Sequence, residues 1–125
     1  MKQPYEGEFG ETLNAGAEKA GVQVIDVKAL AGRRGQVILL DVRPQADYAA
    51  SSRTLEGAAR VSPLRHQWMD GFPKAGDYVL FPGAVNSAAG LELASLMVSK
   101  GFRNVSLLNV TLSDWEAAGL PTEEK

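Results

Sequence analysis

Val37-Ile38-Leu39-Leu40-Asp41-Val42-Arg43-Pro44 is the stretch on which the fold turns. Its apolar residues run without alternation, which fits a strand covered on both faces, the kind found inside a parallel sheet. Pro44 then suits the first turn of a helix running through Tyr48 and Ala50.

Outward from this unit the pattern repeats. Tyr78-Val79-Leu80-Phe81 is a second buried run, ended by Pro82-Gly83. Ser87 to Lys100 follows with helical period: Ala89, Leu93, Leu96 and Met97 form one stripe and Leu91, Ala94 and Val98 a second. This predicts a helix buried on most sides, closed by Gly101. A third strand is expected at Val105 to Leu108, and weaker ones at Val22 to Ile25 and Ala59 to Ser62. Ser113-Asp114-Trp115-Glu116 has the spacing of a capping box, opening a short helix that Gly119 and Pro121 end. Strand alternating with helix predicts an α/β domain with a small, mostly parallel central sheet flanked by helices, a three-layer α/β/α arrangement.

Residues 1–21 carry four glycines and only Tyr5, Phe9 and Leu13 as large apolar groups, which reads as an extension either loosely ordered or packed locally on a domain spanning residues 22–125. Met69 to Gly76 reads as an exposed loop, Glu123-Glu124-Lys125 as a solvated tail, and His66 as a solvated group beside an inward-packed aromatic.

Composition narrows the chemistry. With 13 basic and 15 acidic residues, the net charge of −2 offers no electrostatic footprint for nucleic acid or an anionic membrane. No apolar run is long enough for a membrane span and no secretory signal is visible, so a cytoplasmic location is expected. The chain has no cysteine, which excludes thiolate chemistry and thiolate metal sites, and His66 is the only histidine. No acidic cluster suggests a hard cation, so neither metal nor cofactor is expected.

Four fragments carry a family likeness. Ile38 to Pro44 with Asp47-Tyr48 resembles the "LIDVRxxxEY" segment of rhodanese-homology domains. Glu56-Gly57-Ala58-Ala59-Arg60-Val61-Ser62-Pro63 resembles the "PGAINIP" segment that follows it. Gly101-Phe102-Arg103-Asn104-Val105, and then Ser113-Asp114-Trp115-Glu116-Ala117-Ala118-Gly119-Leu120-Pro121, resemble the closing "GFxNV" and "AWxxAGLP" segments. They stand in the family's order from about Val22 to Pro121. The resemblance implies a rhodanese-like fold, in which Trp115 anchors the last helix.

The departures cluster on the face where such domains keep their active site. The resemblance implies a catalytic cysteine just after the strand Tyr78 to Phe81, in a "CxxGxRS" loop. The position falls on Pro82 counted from the strand, or on Ala84 counted back from Gly101, and the loop arginine is absent. The "GHIPGA" histidine is replaced within Ser51-Ser52-Arg53-Thr54-Leu55, and the closing Gly-Gly pair has become Val110-Thr111. In the family, backbone amides at a helix N-terminus lower the thiol pKa and hold an anionic sulfur. Serine does not replace that thiolate: its hydroxyl is far less acidic, and Ser87 would need a base.

These observations favour a catalytically silent domain acting as a binding or regulatory module, with another protein as a partner on the altered face. A second reading keeps Gly83, Ala84, Val85, Asn86 and Ser87 as a residual amide loop, at residues 82–87, that serves an anion-binding domain or an atypical enzyme of the family it resembles. Its bland counterpart is that Asn86 or Ser87 caps the helix. A third is a scaffold role such as dimerisation. Asp41 and Arg43 stand where α/β domains often place sites; the structural reading is that Arg43 pairs with Asp47 or Asp41 and holds the strand-to-helix turn.

Overall fold

The computed structural model describes residues 11–125; Tyr5 and Phe9 lie outside the described residues. Five parallel strands form the main sheet: β1 (Gln23–Ile25), β2 (Ile38–Asp41), β4 (Ala59–Arg60), β5 (Asp77–Phe81) and β6 (Asn104–Leu108), in the order β1-β6-β5-β2-β4. Because successive side chains leave a strand on opposite faces, each apolar run feeds two cores. Leu40, Tyr78, Leu80, Val105 and Leu107 join one cluster with Leu93, Ala94 and Met97 of α4 (Ala88–Ser99). Leu39, Val79, Phe81 and Leu108 join the other with Leu30 of α2 (Val27–Ala31) and Trp115 of α5 (Leu112–Ala117). Helices thus cover both faces of a mostly parallel sheet.

Glu11–Ala20, within the segment expected as an N-terminal extension, forms helix α1. Leu13 and Ala17, four residues apart on one face, are buried in the same core as the sheet. The chain end also differs from expectation. Glu123 and Glu124, expected in a solvated tail, are exposed but belong to strand β7 (Thr122–Glu124), antiparallel to β3 (Arg53–Leu55) in a second, two-stranded sheet. Arg53 clamps the pair, its Nε donating to Thr122 Oγ1 at 2.6 Å and its Nη2 to Thr122 O at 3.0 Å.

Three local readings move. The capping box lies two residues earlier than expected: Thr111 Oγ1 accepts from Asp114 N, and Asp114 Oδ2 accepts from Thr111 N. Thr111 has the extended backbone an N-cap needs (φ −89°, ψ 169°), whereas Ser113 already lies inside the helix. The expected loop from Met69 begins as a 3₁₀ turn, Gln67–Gly71, that buries Met69. Pro44 is the N-cap of α3 (Gln45–Ala50) rather than a residue of its first turn.

Candidate functional site

The parallel register sets Asp41 level with Phe81 on one side and Arg60 on the other, at the carboxyl end of β5-β2-β4. Such an end is where α/β sheets carry their sites. Asp41 is fully buried. Its Oδ1 accepts from Arg43 Nε (3.0 Å) and Arg43 N (3.2 Å); its Oδ2 accepts from Arg43 Nη2 (2.8 Å) and Thr54 Oγ1 (2.8 Å). Arg43 Nη2 also donates to Arg53 O at 2.9 Å, tying β2 to the small sheet. Of the two carboxylates considered for Arg43, the structure brings Asp41 to it and leaves Asp47 exposed on α3. Removing two charges from water is offset only by such complete bonding.

Arg60 completes the cluster from β4. Its Nη1 donates to Arg43 O (2.6 Å) and Asp41 O (3.4 Å), its Nη2 donates to Gln45 Oε1 (3.3 Å), and its guanidinium lies 4.2 Å from the centre of the Tyr48 ring. The sequence marked Arg60 only as part of a motif. A charged residue inside a weak strand was the signal that it meets a partner.

Past β5 the chain forms the loop 82–87. Pro82 is buried and carries no N–H; Gly83 has φ +78° and Asn86 φ +54°. The Asn86 N–H donates to Asn109 Oδ1 at 2.6 Å, and Asn109 Nδ2 donates back to Asn86 Oδ1 at 3.4 Å, so the loop is stitched to the turn after β6. Ser87 is the N-cap of α4, its Oγ accepting from Gly90 N at 2.9 Å. The amides of Gly83, Ala84 and Val85 have no acceptor among the described residues. Ala84 and Val85 are exposed at the loop tip.

Between α4 and residues 60–66 opens a cleft of about 510 Å³, within the size range of small-molecule sites. Val42, Pro82, Leu93 and Leu96 supply apolar wall, with Arg60 and Ser87 among its polar lining. His66, read as a solvated group, is half-buried in this wall, with its Nε2 3.0 Å from Pro63 O. Trp68 beside it packs against the core and donates its indole N–H to Ser62 O. Nothing in the local sequence announced the cleft, because its two walls are distant in the chain. Trp115, expected as an anchor, is fully buried and donates its indole N–H to Pro121 O at 2.8 Å.

A parallel sheet with helices on both faces, and a strand-to-helix loop at its carboxyl end beside a buried Asp–Arg pair, defines the class to which the motifs pointed. The family model described as the rhodanese-like domain matches residues 23–118, and the chain belongs to that family. Comparison with curated proteins finds no match. Among solved structures, the chain is similar to the Alr3790 protein from Anabaena sp. at 25% identity and a TM-score of 0.67, covering 80% of this chain and 91% of that one. A full-length protein from Lactobacillus plantarum shares the fold at 20% identity and a TM-score of 0.72, covering 93% and 98% of the two chains. A thiosulfate sulfurtransferase from Pseudomonas aeruginosa is 32% identical with a TM-score of 0.63; the match covers 82% of this chain but only 19% of that one. Lacking cysteine, this chain has no thiol with which to carry sulfur.

Proposed function

We propose that the protein is a catalytically silent rhodanese-like domain that works as a binding or regulatory module through its altered face. The observation that carries this reading is Pro82: the first residue past β5 is a buried imino acid lining an open cleft. It offers neither a nucleophile nor an N–H, although it follows Phe81, which lies level with the ion-paired Asp41. Leu64, 85% exposed, and Val85, 49% exposed, give this end of the molecule the apolar surface that a protein partner would cover. The test is a thiosulfate:cyanide sulfurtransferase assay on the purified chain; turnover above the buffer blank would overturn the reading.

A second reading, anion binding by the loop 82–87, is favoured by the unengaged amides of Gly83, Ala84 and Val85. Two donors of a complete cradle are nevertheless gone, since Pro82 has none and the Asn86 N–H is held by Asn109. A crystal grown in sulfate and showing the loop empty would count against it.

A further inference from the structure

The cleft has a polarity along its length, and it deepens the reading of this face as a binding surface, on which it rests. We propose that the cleft seats a small molecule with an apolar body ending in one carboxylate, the carboxylate at Arg60 and the body along Leu93 and Leu96.

Charge bookkeeping at the sheet end supports the head group. Three cations gather around the Tyr48 ring: Arg43 at 5.4 Å, Arg60 at 4.2 Å and Lys125 at 4.1 Å from its centre. Among the described residues, Asp41 is the carboxylate that ion-pairs with this group. It is already held by Arg43 and Thr54, and Arg60 stands 3.8 Å from it. Among the described residues, the direct hydrogen bonds of Arg60 go to neutral oxygens, the backbone carbonyls of Asp41 and Arg43 and the side-chain amide of Gln45. Its charge is therefore incompletely cancelled, in a side chain only 20% exposed that lines the cleft. A partly desolvated guanidinium in that state favours a carboxylate.

The walls argue for the body. Val42, Pro63, Leu64, Pro82, Leu93 and Leu96 form an apolar surface that an inorganic anion would leave against water. Leu64 projects at the rim and would be covered by an apolar chain. Among the described residues, Glu92, exposed on the second turn of α4, is the one carboxylate of the lining; it opposes a second negative charge on the ligand, which selects a monoanion.

The experiment is an NMR titration of the ¹⁵N-labelled full chain with octanoate and, separately, with octanol, octylammonium, sulfate and a short apolar peptide with a free C-terminus. Octanoate is expected to shift residues 60–66 and 89–96 saturably and to bind about tenfold tighter than octanol, the worth of one charge-assisted hydrogen bond. Arg60→Gln should erase that preference. Should Arg60→Gln disturb the fold, Ala89→Trp, which fills the cleft from an exposed position, must abolish the octanoate shifts. Octanol binding as tightly as octanoate, octanoate binding undiminished in Ala89→Trp, or no saturable shift at millimolar octanoate would overturn the proposal. So would sulfate displacing octanoate through shifts confined to residues 82–87, or the peptide binding where octanoate does not. None of these results bears on the sulfurtransferase assay, so the ligand assignment and the silent-domain reading fail separately.

Discussion

Gly83 lies directly over the stem of Arg43: a Cβ built on Gly83 would stand 2.8 Å from both Cγ and Cδ of that arginine. The contact joins the rebuilt loop to the framework beneath it. Arg43 cannot step aside, because its guanidinium is fixed by buried Asp41 and by Arg53 O. Gly83 also has φ +78°, a conformation side chains rarely adopt.

Gly83→Ala is therefore expected to cost about 1–3 kcal/mol from strain and overlap together. Gly57→Ala is the control, since Gly57 has φ +82° but open space where its Cβ would go. Urea unfolding should show a larger loss for Gly83→Ala; equal losses would mean that Arg43 yields.

Asp41→Asn removes the charge that balances Arg43 within the core. Breaking a buried pair from one side costs roughly 3–5 kcal/mol, because the remaining ion stays desolvated. A drop below about 1 kcal/mol in the same unfolding assay would show that Arg60 and Arg43 find other acceptors.

Asn109→Ala strips the acceptor from the Asn86 N–H, which sits in a left-handed turn. The expected loss is about 1–2 kcal/mol, with faster hydrogen exchange at Asn86. Unchanged exchange at that amide would count against the Asn86–Asn109 bond as a control on the loop.

Tyr78 is buried and its hydroxyl donates to Pro73 O; burial pushes its pKa above the ordinary value of 10.0. The folded state then holds the phenol proton more tightly than the unfolded chain. This contribution is complete below pH 10.0 and is lost as pH rises from there through the folded pKa. Tyr78→Phe should lower stability by about 1 kcal/mol at neutral pH and lose less than wild type in strong alkali. Parallel curves of melting temperature against pH for the two proteins would contradict this.

Restoring a thiol should not restore sulfur transfer. Pro82→Cys and Ala84→Cys supply one at either candidate position, but the loop arginine is missing and the Asn86 amide is committed to Asn109. Both variants are expected at the blank in the thiosulfate:cyanide assay. Clear turnover in either would mean that the amide cradle is intact.

The long apolar runs made β2, β5, β6 and α4 legible, because burial on two faces writes an uninterrupted pattern into neighbouring residues. The same logic could not find β3 and β7. These strands are three residues each and hold charged groups, and what stabilises them is a reach from Arg53 to Thr122 across the chain. Helix α1 escaped notice because its core contribution is Leu13 and the small Ala17, too little for a strong apolar stripe.

By itself the sequence determined the layered α/β framework and one hard chemical limit, since a chain without cysteine has no thiolate whatever its fold. Only the tertiary structure decided which partners the polar residues take: Asp41 rather than Asp47 for Arg43, Asn109 for Asn86, and a shared place at the sheet end for Arg60. The physical reason is range. Hydrophobic periodicity is set by adjacent residues, whereas a hydrogen bond or a cleft wall depends on strand register that brings distant segments within a few ångströms.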